Sequence, residues 1–298
     1  MSRAGVQQIG FIGLGVMGEP MCRNLAAKSG AQVLAHDREA APMQRLGAHG
    51  VHARPTAHEV VVGSEVVFLS LPSGEAVHAL AHAPEGLLRA VRAGQTIVDL
   101  STSPVDSTRA LAAAFAERGA VFIDAPVART RAAAETGTLS VMVGAEPAVF
   151  ERVKPLLATF ASDIILCGPV GCGQVVKILN NMVLFETVLA LCEARAIGER
   201  AGVDAALLFD TLSKGSADSF ALRHHGMKSV LPGDYPERAF SVKYAHKDLL
   251  YALRLAHDTG VDARGARTVD GWYEQAIAAG YGDHYHPVIS RLIGGPDA

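Results

Sequence analysis

The chain has 298 residues, enough for one large domain or two of ordinary size. Hydrophobic residues make up 49% and charged residues 19%, which excludes an intrinsically disordered protein. The formal net charge is −3, so the chain lacks the excess of basic residues that is typical of proteins that bind duplex nucleic acids. Any anion that it binds must therefore be held by local positive groups.

The first half of the chain alternates short apolar strands with helices. Strands are predicted at Gln8–Ile12, Gln32–His36, Val66–Leu69, Thr96–Leu100, Val121–Asp124 and Leu139–Val143, and helices at Met17–Lys28, Ala40–Leu46 and Pro104–Glu117. This alternation is typical of a parallel sheet with helices on both faces.

From Gly173 onward the pattern is helical. A helix of about 25 residues is predicted up to Gly202, followed by helices at Ala205–Leu212, Tyr244–Thr259 and Ala266–Ala279. We therefore predict an α/β N-terminal dinucleotide-binding (Rossmann) domain over residues 1–168. An all-α C-terminal domain for substrate binding and oligomerisation follows over 169–298, joined to the first by the long helix.

Three features favour a cytoplasmic protein without a metal site. The N-terminal stretch lacks the apolar segment of a signal peptide, so no secretory leader is expected. Charged and amide side chains interrupt the apolar segment Val175–Ile197, which predicts a buried helix and no membrane span. The four cysteines form no CxxC pair or Cys/His cluster and are predicted to be buried free thiols. His284 and His286 are predicted to be solvated surface residues.

The strongest cofactor signal is a GxGxxG hexapeptide that follows a strand and opens a helix. It comprises Gly13, Leu14, Gly15, Val16, Met17 and Gly18. Such glycines let the backbone approach a pyrophosphate at the positive end of the helix. Asp37 ends the second strand and would accept hydrogen bonds from ribose hydroxyls, which favours NAD (NADH) over NADP. Arg38 weakens this preference for NAD, because an arginine at that position can pair with a phosphate or stack on adenine.

Two further segments end strands of the predicted sheet. Leu71 and Pro72 follow one strand, and Ser101 and Thr102 follow another. Ligands bind at the carboxyl ends of strands in open α/β folds, so both segments are candidate cofactor contacts. Either could also be an ordinary exit from a strand.

The strongest catalytic signal is GCGQVVKILNN, which places Lys177, Asn180 and Asn181 on one face of a helix. One interpretation is a lysine that reaches solvent and two asparagines bonded to a neighbouring loop. The other is an active site, because a partly desolvated lysine has a lowered pKa and can exchange a proton with an alcohol or carbonyl oxygen.

Five ordered motifs resemble the β-hydroxyacid dehydrogenase family, which includes 3-hydroxyisobutyrate dehydrogenases and tartronate semialdehyde reductases. They are FIGLGVMGEPMCRNL, DLSTSPVDS, DAPVARTRAAAETGTLSVMVGA, GCGQVVKILNN and YAHKDLLYAL. The resemblance implies an active site in a cleft between the two domains, with Lys177 as acid/base and Asn180 and Asn181 orienting the substrate. It also implies Ser101 beside the substrate, Thr102 near the nicotinamide, and Lys247 lining the cleft. Without the resemblance, Lys247 and Asp248 would be interpreted as a surface pair.

One motif departs from the family. Most members have Ser-Gly-Gly after DAPV, where this chain has Ala128, Arg129 and Thr130. This version resembles the sulfolactaldehyde reductases of the family. Arg129 offers a fork of donors suited to an oxyanion and Thr130 adds a hydroxyl, so both are predicted to bind the substrate's anionic group. Arg129 could instead be exposed without a ligand, and Arg131 is interpreted as ordinary surface.

These observations predict a cytoplasmic NAD-dependent oxidoreductase acting on a small anionic hydroxy acid, aldehyde or hydroxysulfonate. The resemblance to sulfolactaldehyde reductases implies reduction of 3-sulfolactaldehyde to 2,3-dihydroxypropane-1-sulfonate as the preferred reaction. The alternatives are 3-hydroxyisobutyrate dehydrogenase, tartronate or succinic semialdehyde reductase, and a non-catalytic dinucleotide-binding protein. The apolar long helix favours a homodimer or homotetramer. No nucleic-acid or membrane partner is expected.

Overall fold

The computed structural model describes residues 5–237 and 239–293. The chain forms two compact units that divide between Lys177 and Ile178. Because this division falls inside a helix, it does not by itself define a domain boundary, and the boundary at residue 168 stays a prediction.

The first unit is built on a nine-stranded sheet. Its strands are β1 (Gln8–Ile12), β2 (Gln32–His36), β3 (Val51–Ala53), β4 (Val66–Leu69), β5 (Thr96–Asp99), β6 (Val121–Asp124), β7 (Val127–Ala128), β8 (Leu139–Gly144) and β9 (Ala161–Gly168). The order is β3-β2-β1-β4-β5-β6-β8-β7, with β9 paired to β8. The helices are α1 (Gly18–Ser29), α2 (Ala40–Gly47), α3 (Ala57–Val62), α4 (Gly74–His82), α5 (Leu87–Ala90), α6 (Val105–Ala116), α7 (Arg131–Thr136) and α8 (Pro147–Leu157).

The predicted Rossmann fold is confirmed, with one difference in the sheet. Strands β1 to β6 pair in parallel, but β8 runs antiparallel to both β6 and β7. Every residue of β4 and β5 is buried, and β4 is apolar throughout, as expected of a central parallel strand. Helices cover both faces, and buried apolar residues form a separate core on each side of the sheet.

Long helices dominate the second unit. α9 (Cys172–Arg200) crosses the division between the units, and α10 (Ala205–Leu212), α11 (Val242–Asp258) and α12 (Arg264–Ala278) follow it. A π-helix (Leu222–Val230) and a 3-10 turn (His286–Arg291) complete the unit. α9 is long and apolar enough to cross a membrane, although core helices of soluble proteins meet the same criterion. Its residues Phe185, Val188 and Cys192 lie in the core of this unit.

Two predictions about buried side chains need correction. His286 is fully buried among Phe185, Tyr273 and Tyr285, so its prediction as a solvated surface residue was wrong. Aromatic rings surround this neutral ring, and its Nδ1 forms a 3.1 Å hydrogen bond with the Tyr273 hydroxyl, while Nε2 has no partner among the described residues. All four cysteines are free, but only Cys22 and Cys192 are buried, and the other two are half-buried.

Candidate active site

The glycine loop between β1 and α1 has three glycines with different roles. Gly13 has a φ of +93°, and a side chain there would collide with the carbonyl of Ser70. A Cβ on Gly18 would collide with the carbonyl of Gly13. A Cβ on Gly15 would meet nothing within 4 Å, so the fold itself does not require this glycine. It leaves a cradle that a side chain would fill, which fits close approach of a pyrophosphate.

Asp37 lies at the carboxyl end of β2 and faces the glycine loop. Its carboxylate accepts hydrogen bonds from the backbone N–H groups of Leu14 at 2.5 Å and Glu39 at 2.8 Å. The acid is therefore held beside the loop, where it can accept further hydrogen bonds from ribose hydroxyls. Arg38, next in the chain, is exposed.

The loops after β4 and β5 are joined to each other. The backbone N–H of Leu71 donates to Oγ of Ser101 at 2.9 Å. Ser101 and Thr102 are buried, whereas Pro72 is exposed. Since β1, β4 and β5 are neighbouring parallel strands, these loops and the glycine loop all lie at the carboxyl ends of the strands, on the same side of the sheet.

Lys177 lies on α9 and is only 9% exposed. One turn earlier on the same helix, the Gln174 amide donates to the carbonyl of Ser101 at 2.8 Å and accepts from the N–H of Ser103 at 3.0 Å. The helix that carries the lysine is thereby fixed to the loop after β5. Sequence reasoning missed Gln174, whose only signal was its place in GCGQVVKILNN.

The second unit assembles Asn181, Lys247 and Asp248. Nδ2 of Asn181 donates to the buried Asp248 carboxylate at 2.8 Å, and the exposed Asn180 donates to Oδ1 of Asn181 at 3.1 Å. Nζ of Lys247 lies 2.8 Å from the other Asp248 oxygen as an ion pair without hydrogen-bond alignment. Asp248 is only 1% exposed, so the two residues do not form an exposed surface pair.

Tyrosine rings flank the Lys247 ammonium. Its Nζ lies 4.5 Å from the ring centroid of Tyr244 and 4.9 Å from that of Tyr251. Cation–π attraction and the Asp248 carboxylate both hold the ammonium in this position. The second unit therefore presents a fixed positive charge beside Asn181.

Arg129 is bound within its own unit. Its guanidinium donates to the Thr138 carbonyl at 2.6 Å and to the Ser162 hydroxyl at 2.9 Å, and it lies 2.7 Å from the Asp163 carboxylate. Its φ of 87° is the positive value that glycine adopts easily and arginine rarely does. Thr130 is exposed and directly precedes α7.

Arg131 is an exposed surface residue, as interpreted from the sequence, and it borders the glycine loop. Its side chain is 66% exposed and pairs with Glu135 at 2.9 Å. Both residues line a cavity of about 470 Å³ together with Leu14, Gly15, Val16, Glu19, Pro20, Arg23 and Arg45. Chain folding, and not sequence proximity, brings α7 against the loop at the start of α1.

One group of potential metal ligands occurs among residues 5–237 and 239–293. It comprises His246, Asp270 and Glu274, whose ligand atoms lie within 4.8 Å of one another. His246 and Asp270 already form a 2.7 Å pair, and none of the three belongs to the predicted site. The prediction of a site without metal stays a prediction.

The first unit thus combines a Rossmann sheet, an open glycine loop, an acid held beside that loop and a buried lysine on α9. These features define a pyridine-nucleotide-dependent oxidoreductase. Residues 8–168 match the family model described as the NAD binding domain of 6-phosphogluconate dehydrogenase. Residues 171–293 match the model described as NAD-binding of NADP-dependent 3-hydroxyisobutyrate dehydrogenase.

Full-length relatives agree with these matches. The chain is 36% identical to the 2-(hydroxymethyl)glutarate dehydrogenase of Eubacterium barkeri, over 92% of this chain and 91% of that protein. It is 34% identical to the 2-hydroxy-3-oxopropionate reductase of Escherichia coli (strain K12), over 96% of this chain and 97% of that protein. The solved structure of Mycobacterium tuberculosis 3-hydroxyisobutyrate dehydrogenase with L-serine superposes on this chain with a TM-score of 0.88 at 30% sequence identity. The match covers 97% of this chain and 99% of that one. The chain belongs to the β-hydroxyacid dehydrogenase family and is an oxidoreductase acting on CH–OH groups.

Proposed function

We propose that this enzyme interconverts a small anionic aldehyde and the corresponding hydroxy compound with NADH, using Lys177 as its acid/base. The observation that supports the proposal is the position of the first turn of α9, the helix that carries Lys177. Gln174 ties the first turn of α9 to Ser101 and Ser103, at the sheet edge that also holds the glycine loop. A buried lysine one turn further on is suited to proton transfer beside a bound nicotinamide.

The residues that would hold the cofactor follow from the loops at this edge. Gly13 to Gly18 would contact the pyrophosphate, and Asp37 would bind the adenosine ribose. Arg38, Leu71 and Pro72 would lie near the cofactor. Thr102 and Lys247 would lie toward the nicotinamide. NADH, when bound, supplies the hydride. A carboxylate at position 37 repels a 2′-phosphate, which supports NAD as the preferred cofactor.

The chain's own groups supply the rest of the reaction. In the reductive direction the Lys177 ammonium gives a proton to the aldehyde oxygen as the carbonyl carbon is reduced, and in oxidation the amine takes it back. Asn180, Asn181 and Ser101 would orient the substrate by hydrogen bonds. The overall change is aldehyde, NADH and a proton giving alcohol and NAD⁺.

We further propose that the anionic group meets Arg129 and Thr130, with 3-sulfolactaldehyde as the preferred substrate and 2,3-dihydroxypropane-1-sulfonate as its product. An arginine in place of a family glycine supports a strongly anionic head group. Because Arg129 pairs with Asp163, the substrate would have to replace that partner. The relatives named above support 3-hydroxyisobutyrate and tartronate semialdehyde as alternatives, and succinic semialdehyde is a third alternative of the same chemical class.

A substrate panel tests the proposal. NADH and NADPH oxidation are measured with 3-sulfolactaldehyde, tartronate semialdehyde and succinic semialdehyde, and NAD⁺ reduction with 3-hydroxyisobutyrate. We expect the highest kcat/KM with NADH and the sulfonate. Preference for a carboxylate substrate would refute the sulfonate assignment, and no turnover of any compound would favour a non-catalytic dinucleotide-binding protein.

A cytoplasmic location and a homodimer or homotetramer belong to the same proposal. Leu179 and Val183 on α9 are 39% and 58% exposed, which supports burial of this apolar helix against another copy. Light scattering of the purified protein measures the mass directly, and a monomer would contradict the assembly.

A further inference from the structure

A buried hydrogen-bond network connects the ends of β5 and β6 to the first turn of α9. Asp124, the last residue of β6, accepts from the N–H groups of Gly171 at 2.7 Å and Gln174 at 2.8 Å. Its carboxylate therefore satisfies two backbone donors where the helix begins, and its negative charge faces the positive end of the helix.

Glycines let this helix start approach the sheet closely. A Cβ on Gly173 would collide with the carbonyl of Met142 and lie 2.8 Å from the Asp124 carboxylate. A Cβ on Gly144 would also overlap Asp124. The first turn of α9 therefore packs directly on the ends of β6 and β8 with little freedom to shift.

The loop after β5 is held from two sides. Asp99 accepts from the N–H of Ser101 at 2.9 Å and from the hydroxyl of Ser103 at 3.1 Å. The Gln174 amide bonds the same two residues through their backbone groups. The loop that carries Thr102 is thereby clamped between the sheet and α9.

Burial changes the pKa of both acids, Asp99 and Asp124. It raises the pKa of Asp99 and of Asp124 to about 6 in each case, and the hydrogen bonds these carboxylates accept oppose that rise. Such groups are costly to bury unless every bond is made. A network of this kind fixes one geometry of loop and helix.

We infer that Gln174 is a positioning residue, which with Asp124 sets the placement of the Lys177 ammonium relative to the loop bearing Thr102. Gln174 and Lys177 are three residues apart on one helix, so they share a face and move together. The inference rests on the proposed function, since it assumes that Lys177 transfers the proton. A displacement of about 1 Å in such a site can reduce a rate by ~100-fold.

Replacement of Gln174 by methionine tests this inference, since it keeps the length of the side chain and removes both amide bonds. With the best substrate of the panel we expect kcat to fall by ~10- to 100-fold, with NADH affinity within ~3-fold of wild type. We also expect a larger primary deuterium isotope effect with labelled NADH, because hydride transfer becomes more rate-limiting. Gln174→Asn, which keeps the amide on a shorter arm, should recover part of kcat.

Gln95 provides a matched control. It is also buried, and its amide donates to the carbonyls of Val61 at 2.7 Å and Ser64 at 2.5 Å, near the amino end of β5. Gln95→Met should lower thermal stability comparably and leave kcat and the isotope effect near wild type. If Gln174→Met fails to fold, Gln174→Asn and Asp124→Asn are measured by the same criteria.

Each outcome separates this inference from the proposed function. Folded Gln174 variants with wild-type kcat and isotope effect would overturn the positioning role alone. An equal loss of kcat in Gln95→Met would reduce the network to a stability effect and also overturn it. A wild-type enzyme without turnover would overturn the proposed function, and the positioning role with it.

Discussion

The Arg129 guanidinium lies 2.7 Å from the Asp163 carboxylate, while the backbone of Arg129 has a φ of 87°. An arginine in this conformation costs on the order of 1 kcal/mol or more. Its bonds to Asp163, Ser162 and Thr138 offset that cost. The loop that carries Arg129 is therefore held in place by side-chain contacts, and Asp163 competes with any anion for the same arginine.

Asp163→Asn is expected to remove this competitor. An exposed ion pair contributes little free energy, so KM for the anionic substrate should fall by at most ~5-fold while KM for NADH stays unchanged. Arg129→Gly should raise KM for the anion and leave NADH unaffected. Steady-state kinetics on both variants decide the matter, and a higher KM in Asp163→Asn would indicate that the pair only supports the loop.

Gly15→Ala and Gly18→Ala should separate cofactor binding from folding. A Cβ at Gly15 enters open space, so this variant should fold normally but bind NADH at least ~10-fold more weakly, because the cradle is filled. A Cβ at Gly18 meets the carbonyl of Gly13 and should lower the melting temperature. Gly47→Ala, on α2 with nothing within 4 Å of its Cβ, is the neutral control. Calorimetry and NADH fluorescence titration report both effects, and unchanged affinity in Gly15→Ala would contradict the cradle.

Asp37→Ser is expected to shift cofactor preference toward NADPH. The substitution removes the charge that repels a 2′-phosphate, leaves Arg38 free to pair with it, and keeps an acceptor for the Leu14 N–H. The ratio of kcat/KM for NADPH to that for NADH should rise by ~10-fold or more. An unchanged ratio in a folded variant would show that Asp37 does not discriminate between the two cofactors.

Lys177→Ala should lower kcat by ~100- to 10,000-fold, the range of general acid–base catalysis. NADH should still bind, because the glycine loop and Asp37 are untouched. Lys177→Arg keeps the charge but loses the transferable proton, so it should also be slow. Retained turnover in the alanine variant would refute the role of Lys177.

Acid should destabilise the second unit through His225. Burial lowers the pKa of His225 to about 4, and its ring accepts or donates a hydrogen bond with Tyr285 at 2.5 Å. As pH falls from the ordinary histidine pKa of about 6.5 toward 4, the unfolded chain takes up a proton that the folded chain does not. The free energy of unfolding should therefore decrease in this window, by at most ~3 kcal/mol for this residue.

His225→Gln is the comparison for this effect. Burial also lowers the pKa of His286, which stays in the variant together with the buried acids of the first unit. The difference in unfolding free energy between wild type and variant should shrink as pH falls from 6.5 to 4. Denaturation at several pH values measures it, and a constant difference would contradict a neutral buried His225.

The fold class, the glycine loop and the lysine helix could be predicted from sequence because each depends on local chemistry. Strands β1, β2, β4 and β6 begin and end as predicted, since apolar runs bounded by turn residues define buried parallel strands. β9 was not predicted, because it is a partly exposed strand whose pairing with β8 depends on distant residues.

The sequence alone determined the Rossmann architecture, the glycine fingerprint and Lys177 as the candidate acid/base, because spacing along one strand or helix carries that information. Only the tertiary structure decided that Asp163 pairs with Arg129, that Arg131 borders the glycine loop, and that His286 is buried. It also decided that Gln174 and Asp124 hold the start of the lysine helix. These contacts join residues far apart in the chain, and their hydrogen bonds and ion pairs exist only once the sheet and helices bring the groups within reach.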